Sequence, residues 1–177
     1  MALSKDVIHF ITTWWTIDSA YDGTKDTVVP TAHSAIPSYI QSLKLYLNAK
    51  FTEVCQKDSR SLTMSDLKKI LQVIEKSPSK NVIITHGTYT MPDTARFLKS
   101  HMKRKDQNIL LVWSMIPLVG FSPSDAGFAL GFAVAKIQML KPWIYVCMNG
   151  KTFVPEEVAK LLSSGKFVSM FGNRELR

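Results

Sequence analysis

The sequence predicts an α/β fold, because short runs rich in β-branched residues alternate with helical segments along all 177 residues. Most of these runs are apolar on both faces, which is typical of parallel strands that helices cover on both sides. We therefore expect a three-layer sandwich with a mostly parallel, doubly wound, Rossmann-like sheet. No internal repeat or low-complexity linker interrupts the alternation, so a single domain is predicted over 1–177.

The first half of the chain contains three predicted strands and two predicted helices. The strands are VIHFITT, FTEVC and NVIITHG, at 7–13, 51–55 and 81–87. A helix is predicted at 38–49, because apolar residues recur there every three to four positions. A second helix is predicted at 63–77, which opens with a threonine, carries an aspartate in its first turn and stops before a proline.

The second half continues the same alternation. Strands are predicted at 108–114 and 143–150, and helices at 94–104 and 124–140. Asp125, near the start of the long helix, is interpreted as its N-cap. A last helix is predicted at 155–165, because proline and glutamates open that segment and a glycine closes it.

The chain is basic, but we expect no nucleic-acid partner. The net charge is +8 and the pI is near 9.5. Part of this charge lies in one cluster, formed by Lys99, Lys103, Arg104 and Lys105. We interpret the cluster as a solvated helix end, where cations complement the helix dipole; a phosphate-binding patch is the alternative. No nucleic-acid motif or stacking aromatic residue accompanies it.

Other features predict a cytoplasmic protein without metal or cofactor. No apolar run reaches the roughly 18 residues of a membrane span, and the N-terminus is interpreted as a strand rather than a signal peptide. Cys55 and Cys147 lie in separate apolar stretches and are expected to be buried, reduced thiols. No cysteines or histidines have zinc-ligand spacing. We therefore expect no membrane partner and no metal.

Ligands of doubly wound sheets bind beyond the carboxyl ends of the strands, where the strand-to-helix loops converge. Four loops follow predicted strands in this way, and they are rich in hydroxyl side chains: TTWWTID, KDSRS, THGTYT and WSMIP. These loops are therefore the predicted location of a functional site.

Three of these loops resemble motifs of the L-asparaginase/glutaminase family. Residues 13–17 (TWWTI) resemble its T-G-G-T-I turn, residues 86–91 (HGTYTM) its H-G-T-D-T-M turn, and residues 113–117 (WSMIP) its G-S-M-x-P turn. Their order and spacing hold, and the resemblance runs from about residue 7 to 172. It covers the family's N-terminal domain only, so we expect the smaller C-terminal domain of full-length members to be absent.

The resemblance implies hydrolysis of a small amide, such as asparagine or glutamine, to the acid and ammonia. By position, Thr16 matches the usual nucleophile, and Tyr21 the loop tyrosine that assists it. Thr88 matches the second threonine, and Lys160 the lysine that partners it. Ser59 matches the serine that holds the substrate's carboxylate. Because relatives work as dimers or tetramers, a homo-oligomer is also expected.

These residue types suit amide hydrolysis. A threonine hydroxyl needs an adjacent base to become a nucleophile, and a desolvated lysine can lose enough basicity to serve as one. Backbone N–H groups at the turns would stabilise the oxyanion. Structural interpretations stay open beside these roles: the threonines as helix caps, Ser59 as a turn residue and Lys160 as a solvated helix lysine. His86 is interpreted as a structural hydrogen-bonder.

The chain departs from the family at the substrate-binding position 89. Tyr89 stands where the family has the aspartate that pairs with the substrate's α-ammonium. Tyrosine is neutral at pH 7 and cannot supply that charge. Asparagine specificity is therefore in doubt, and another amide, or an amino group held by another carboxylate, is the alternative.

Tryptophan marks the second departure. Trp14 and Trp15 occupy the family's paired glycines, Trp113 a strand-ending glycine, and Trp143 a turn that would readily take glycine. Our hypothesis is that UGA codons read as glycine in the source organism are translated here as tryptophan. UGG codons at these positions would contradict it, and genuine tryptophans predict an inactive chain.

Two other classes of function compete with the hydrolase. The first is a non-catalytic ligand-binding or regulatory domain that kept the fold but lost the acidic partner. The second is a nucleotide-handling α/β domain that uses the basic helix end, although the chain lacks a glycine-rich phosphate loop.

Overall fold

The structure is a computed structural model that describes residues 7–13, 16–55 and 57–171. Within these residues the chain forms ten strands and four α-helices. The strands are β1 (Val7–Thr12), β2 (Ser19–Asp22), β3 (Thr27–Pro30), β4 (Asn48–Glu53), β5 (Asn81–Thr85), β6 (Asn108–Val112), β7 (Ile144–Met148), β8 (Lys151–Phe153), β9 (Val158–Leu161) and β10 (Lys166–Ser169). The helices are α1 (Ile36–Ser42), α2 (Met64–Lys76), α3 (Met91–His101) and α4 (Ala126–Ile137).

Six strands form the central sheet, in the order β4-β1-β5-β6-β7-β8. The first five run parallel to their neighbours, whereas β8 pairs antiparallel with β7 at the edge. Two antiparallel hairpins form separate small sheets, β2 with β3 and β9 with β10. The predicted mostly parallel sheet is therefore confirmed.

Helices cover both faces of the sheet, because successive residues of a strand point to opposite sides. Ile84 of β5 belongs to a buried cluster that includes Ile70 of α2 and residues of α3. Its neighbour Ile83 lies in a second cluster, with Ile36 of α1 and Leu130 of α4. The predicted three-layer sandwich is confirmed.

Most predicted elements lie near their predicted positions. The start of α2 is fixed by a reciprocal cap, in which Thr63 accepts the backbone N–H of Asp66 and the Asp66 carboxylate accepts that of Thr63. The helix predicted at 38–49 is wrong beyond Ser42. The chain turns at Lys44, where φ is +48°, and then enters the sheet as β4.

The helix predicted at 155–165 is wrong. Residues 155–157 form a turn, and the β9–β10 hairpin follows. The main chain of Gly165 has a φ of +65°, which lets the hairpin close. The Glu157 carboxylate accepts the Ser169 hydroxyl at 3.2 Å and ties the turn to β10. The proline and glutamates that suggested a helix start therefore belong to a turn.

Asp125 lies at the N-cap position of α4, as predicted, but its side chain makes no capping hydrogen bond to the helix. Its carboxylate instead accepts the backbone N–H groups of Met115 and Ile116, each at 2.8 Å. The hydroxyl of Ser124 accepts the backbone N–H of Ala126 at 3.1 Å. Asp125 therefore holds the loop after β6 against the start of α4.

The basic cluster at the end of α3 is partly neutralised. Lys99 forms an ion pair with Glu156. Arg104 pairs with Asp106 at 2.9 Å and donates to the backbone carbonyl of Ser77. With two of its four cations engaged in this way, the cluster has less charge to offer a phosphate group.

The remaining expectations concern thiols, membranes and metals. Cys147 is buried and Cys55 is partly buried, and both are free thiols. No helix in the described part of the chain is long and apolar enough to cross a membrane. Among the same residues, no group of three or more histidine, cysteine, aspartate or glutamate side chains could hold a metal ion.

Candidate active site

The candidate site lies at the carboxyl ends of β1, β4 and β5. These strands are parallel neighbours, so the loops that follow them leave the sheet at the same edge. Thr13 joins two of the loops, because its hydroxyl and its backbone N–H both donate to the carbonyl of Thr85, at 2.7 and 3.3 Å. Thr16 and Thr88 therefore follow strands that lie side by side.

The side chains of Thr88 and Lys160 meet at this edge. The Lys160 Nζ donates to the Thr88 Oγ1 at 2.7 Å, across 72 positions of sequence. Only 5% of Thr88 is exposed, and burial lowers the pKa of the Lys160 amine below its ordinary value. An amine with a lowered pKa, hydrogen-bonded to a buried hydroxyl, forms a pair that could exchange a proton.

The β9–β10 hairpin brings the lysine to this position. Val158 of β9 and Phe167 of β10 are buried in the same core cluster as α2 and α3. The guanidinium of Arg96, on α3, donates to the backbone carbonyl of Val158 at 3.0 Å. Because α3 begins directly after the loop that carries Thr88, the contact holds Lys160 over that loop.

His86 lies on the other side of the turn at residues 88–90, which carries Thr88 and is called the Thr88 turn below. Its ring lies 2.9 Å from the Gly87 carbonyl through Nδ1 and 2.8 Å from the Thr94 hydroxyl through Nε2. A carbonyl can only accept, so we assign the proton to Nδ1, and Nε2 accepts the hydroxyl. Burial lowers the pKa of His86 to about 4. The ring is therefore neutral at pH 7 and makes the structural hydrogen bonds expected of it.

Ser59 lies directly against the Thr88 turn. It is 2% exposed and begins a short 3-10 turn after β4. A Cβ atom on Gly87 would come within 2.5 Å of the Ser59 Oγ, so this approach requires glycine. The hydroxyl of Thr90 donates to the Ser59 carbonyl at 2.9 Å. The structure therefore brings Ser59 and the turn that carries Thr88 together.

The Ser59 hydroxyl has no hydrogen-bond partner of ordinary geometry among the described residues, although it is buried. The neighbouring Asp58 carboxylate is engaged by Arg60, whose Nη2 lies 2.7 Å from Oδ2 and whose backbone N–H lies 2.7 Å from Oδ1. Burial tends to raise the pKa of Asp58, but Arg60 and, more weakly, Ser59 lower it overall. A buried hydroxyl without a full partner is suited to binding a polar ligand.

Tyr89 lies between two cations at the rim of the site. The Lys160 Nζ is 4.4 Å from the centre of its ring, and the Arg60 Cζ is 4.9 Å away. The ring is 53% exposed. Sequence reasoning missed Arg60, although it follows Ser59 directly, because the direction of its side chain depends on a contact with a loop 29 positions later.

Within the described residues, no hydrogen bond links Thr16 or Tyr21 to this group of side chains. Thr16 is half-buried in a short 3-10 turn that runs from Thr16 to Asp18, after β1. No hydrogen bond between described residues joins it to Thr88 or Lys160. Tyr21 is 56% exposed on β2, and its hydroxyl donates to the Asp26 carboxylate. The structure therefore does not bring Tyr21 to the Thr88–Lys160 pair.

The backbone at two of the tryptophans does not require glycine. Among described residues other than glycine, positive φ values occur at Asp26, Lys44 and Asn149, and so not at Trp113 or Trp143. Trp113 is 2% exposed and packs into a core cluster, whereas Trp143 is 42% exposed beside the Lys99 amine. Trp14 and Trp15 lie outside the described residues. The glycine hypothesis therefore has no conformational support at 113 and 143.

Comparison with known proteins gives one family. The family model described as asparaginase, N-terminal, matches residues 7–172. A glutaminase-asparaginase of Acinetobacter glutaminasificans is 34% identical over 129 residues. That alignment covers 68% of this chain and 38% of the relative.

Two solved structures share the fold. The probable cytoplasmic L-asparaginase from Campylobacter jejuni matches with a TM-score of 0.80 at 25% identity, over 93% of this chain and 53% of that one. The thermostable L-asparaginase from Thermococcus kodakarensis matches with a TM-score of 0.78 at 23% identity, over 92% of this chain and 51% of that one. The chain thus spans about half the length of these proteins, and less of the A. glutaminasificans relative.

Proposed function

The chain belongs to the asparaginase family, and from that premise we propose that it hydrolyses a small amide, such as asparagine, glutamine or a similar compound, to the acid and ammonia. The observation that carries the proposal is the partly buried 2.7 Å contact between the Lys160 amine and the Thr88 hydroxyl. Because the chain spans 38% to 53% of the proteins compared, its activity is a proposal rather than an inherited property.

In the proposed reaction, the Thr16 hydroxyl attacks the amide carbon and the carbon–nitrogen bond breaks. The nitrogen takes up the proton that the Thr16 hydroxyl loses and leaves as ammonia, and an ester between Thr16 and the acyl group remains. Water then attacks this ester while the Thr88–Lys160 pair takes its proton. The acid leaves, and the Thr16 hydroxyl is regenerated. Backbone N–H groups at the strand ends would stabilise each oxyanion, by about 3–4 kcal/mol per donor.

The other predicted residues bind or assist in this scheme. The Ser59 hydroxyl, buried beside Gly87, would hold the substrate's carboxylate. Tyr21 would assist Thr16 only after a movement of the β2–β3 hairpin, since its hydroxyl is bound to Asp26. Tyr89 would lie beside the substrate's α-substituent, the position of the ammonium group in asparagine.

The test is ammonia release from a panel of amides. The unchanged chain is compared with a variant that carries both Trp14→Gly and Trp15→Gly. Thr16→Ala and Thr88→Ala should each abolish turnover, and so should Lys160→Arg, because a guanidinium stays protonated and cannot accept the proton. Thr27→Ala, at an exposed threonine of β3, is the matched control and should leave turnover unchanged.

The outcomes separate the hydrolase from the competing binding domain. Turnover that survives Thr16→Ala and Thr88→Ala would exclude the proposed chemistry. A non-catalytic ligand-binding domain would be favoured instead if calorimetry shows that an amide binds, without turnover, to both the unchanged chain and the variant with Trp14→Gly and Trp15→Gly.

We also propose that the chain forms a homo-oligomer. Three large apolar side chains that flank the β9–β10 hairpin are more than half exposed: Leu162 at 71%, in the turn, and Met170 at 55% and Phe171 at 73%, directly after β10. Exposed large apolar groups are typical of an interaction surface. Light scattering coupled to size exclusion measures the mass, and a monomer at all concentrations contradicts this proposal.

A further inference from the structure

The charges around Tyr89 limit what the candidate active site can bind. Arg60 is held by the Asp58 carboxylate, with hydrogen bonds from Nη2 and from Nε to Oδ2 at 2.7 and 3.1 Å. Lys160 forms no ion pair with any described carboxylate and donates only to the neutral Thr88 hydroxyl. The group as a whole therefore carries an unbalanced positive charge whenever Lys160 is protonated.

A substrate ammonium next to Tyr89 would have no carboxylate to pair with. The Asp58 oxygens already accept three hydrogen bonds from Arg60. The Tyr89 ring could attract a cation through its π face, but Lys160 and Arg60 already lie 4.4 and 4.9 Å from its centre. A third cation would meet repulsion from the unpaired Lys160, and the net positive charge of the group favours an anion instead.

A substrate carboxylate, in contrast, would find donors in this group. The Ser59 hydroxyl is buried without an ordinary partner. The Nη1 amino group of Arg60 donates no hydrogen bond to a described residue, and the Arg60 side chain is 59% exposed. A hydroxyl donor and a charged guanidinium are both groups that bind carboxylates.

We infer that the substrate is an amide that carries a carboxylate but no ammonium group, that is, the half-amide of a simple dicarboxylic acid. The inference rests on the proposed amide hydrolysis and adds the substrate class. Tyr89 is its specificity-determining residue, because it replaces an anionic partner for an ammonium with a neutral ring between two cations.

The test compares two substrates that differ only in the α-ammonium group. Asparagine carries an α-ammonium, and succinamate has hydrogen in its place. Ammonia release should give a kcat/KM for succinamate higher by about tenfold or more, as expected for one unpaired charge. Tyr89→Asp restores a carboxylate and should reverse the preference, mainly through KM. Tyr89→Phe keeps the neutral ring and should retain the preference for succinamate.

Each outcome decides the inference. Equal or better turnover of asparagine by the unchanged chain overturns it, while the proposed amide hydrolysis survives. Reversal of the preference by Tyr89→Phe overturns it as well, because the tyrosine hydroxyl and not the missing charge would then determine the specificity.

If neither compound is hydrolysed, the proposed function fails, and calorimetry then decides the substrate class. Tighter binding of succinamate supports the inference, whereas tighter binding of asparagine, or binding of neither, rejects it. Circular dichroism checks that the variants fold.

Discussion

Burial sets the protonation state of single residues around the Thr88 turn. His86 is fully buried and its pKa lies at about 4, against 6.5 for an exposed histidine. Between these two pH values the unfolded chain holds a proton on His86 that the folded chain does not. Unfolding therefore takes up a proton, and stability decreases as the pH falls from 6.5 towards 4. His9, which is 1% exposed and also has a pKa of about 4, adds to the same trend.

Replacing the titrating ring should reduce this pH dependence. His86→Asn retains an N–H donor for the Gly87 carbonyl but has no proton to gain. The wild-type chain should lose up to about 3 kcal/mol more stability than the variant between pH 6.5 and 4. Urea unfolding at a series of pH values measures this difference. His101→Asn, at an exposed position of α3, is the control, and an equal effect from it would contradict the assignment to His86.

The sequence predicts which residues lie close together at this edge of the sheet better than it predicts what surrounds them. The resemblance placed Ser59, Thr88 and Lys160 in one site; in the structure Lys160 contacts Thr88, and Ser59 lies against the neighbouring Gly87. The cations that flank Tyr89 were not predicted, since two loops and a hairpin from separate parts of the chain supply them. Sequence spacing does not encode such side-chain directions across long loops.

At the scale of elements, the β9–β10 hairpin is the part that sequence patterns could not predict. Strands β5, β6 and β7 could be predicted because each is a short, largely apolar run that contains β-branched residues. β9 is four residues long, and its burial decreases from Val158 to the exposed Leu161 without alternating. A pattern of four residues cannot distinguish a strand from one helical turn, and the proline and glutamates at 155–157 favoured the helix.

The hairpin turn gives a prediction with an internal control. Gly165 has a φ of +65°, which a side chain makes unfavourable. Gly165→Ala should therefore destabilise the chain by about 1 kcal/mol, and it should reduce activity because Lys160 lies on the same hairpin. Gly131→Ala, in the middle of α4 with open space around its missing Cβ, should instead stabilise by up to about 1 kcal/mol.

Thermal and urea unfolding of the two glycine variants measure both changes. Because each variant adds the same methyl group, the difference between them isolates the backbone conformation. Destabilisation of both by similar amounts would show that Gly165 is not specifically required by the turn.

For the whole molecule, the sheet divides the core into two clusters, one against α2 and α3 and one against α1 and α4. Ile83 and Ile84 are neighbours in β5, and both are fully buried, but they belong to different clusters. A loss of packing on either face should therefore weaken the same structure, as expected if residues 1–177 fold as one domain.

Ile83→Val and Ile84→Val should each lower the free energy of unfolding by about 1 kcal/mol. Tryptophan fluorescence and far-ultraviolet circular dichroism should report the same midpoint for each variant, because a single domain unfolds in one transition. Two separate transitions, with each variant shifting a different one, would contradict the single domain. Val168→Ala, at a partly exposed position of β10, serves as the surface control.

The distance in sequence between Thr88 and Lys160 has a consequence for synthesis. The ribosome delivers the central strands from β1 to β7 before it delivers the hairpin that carries the lysine. A nascent chain that has emerged as far as Met148 holds every parallel strand of the sheet but no amine beside Thr88. The Thr88–Lys160 pair therefore forms only after the hairpin has emerged, and a chain interrupted before that point leaves the Thr88 hydroxyl without its partner.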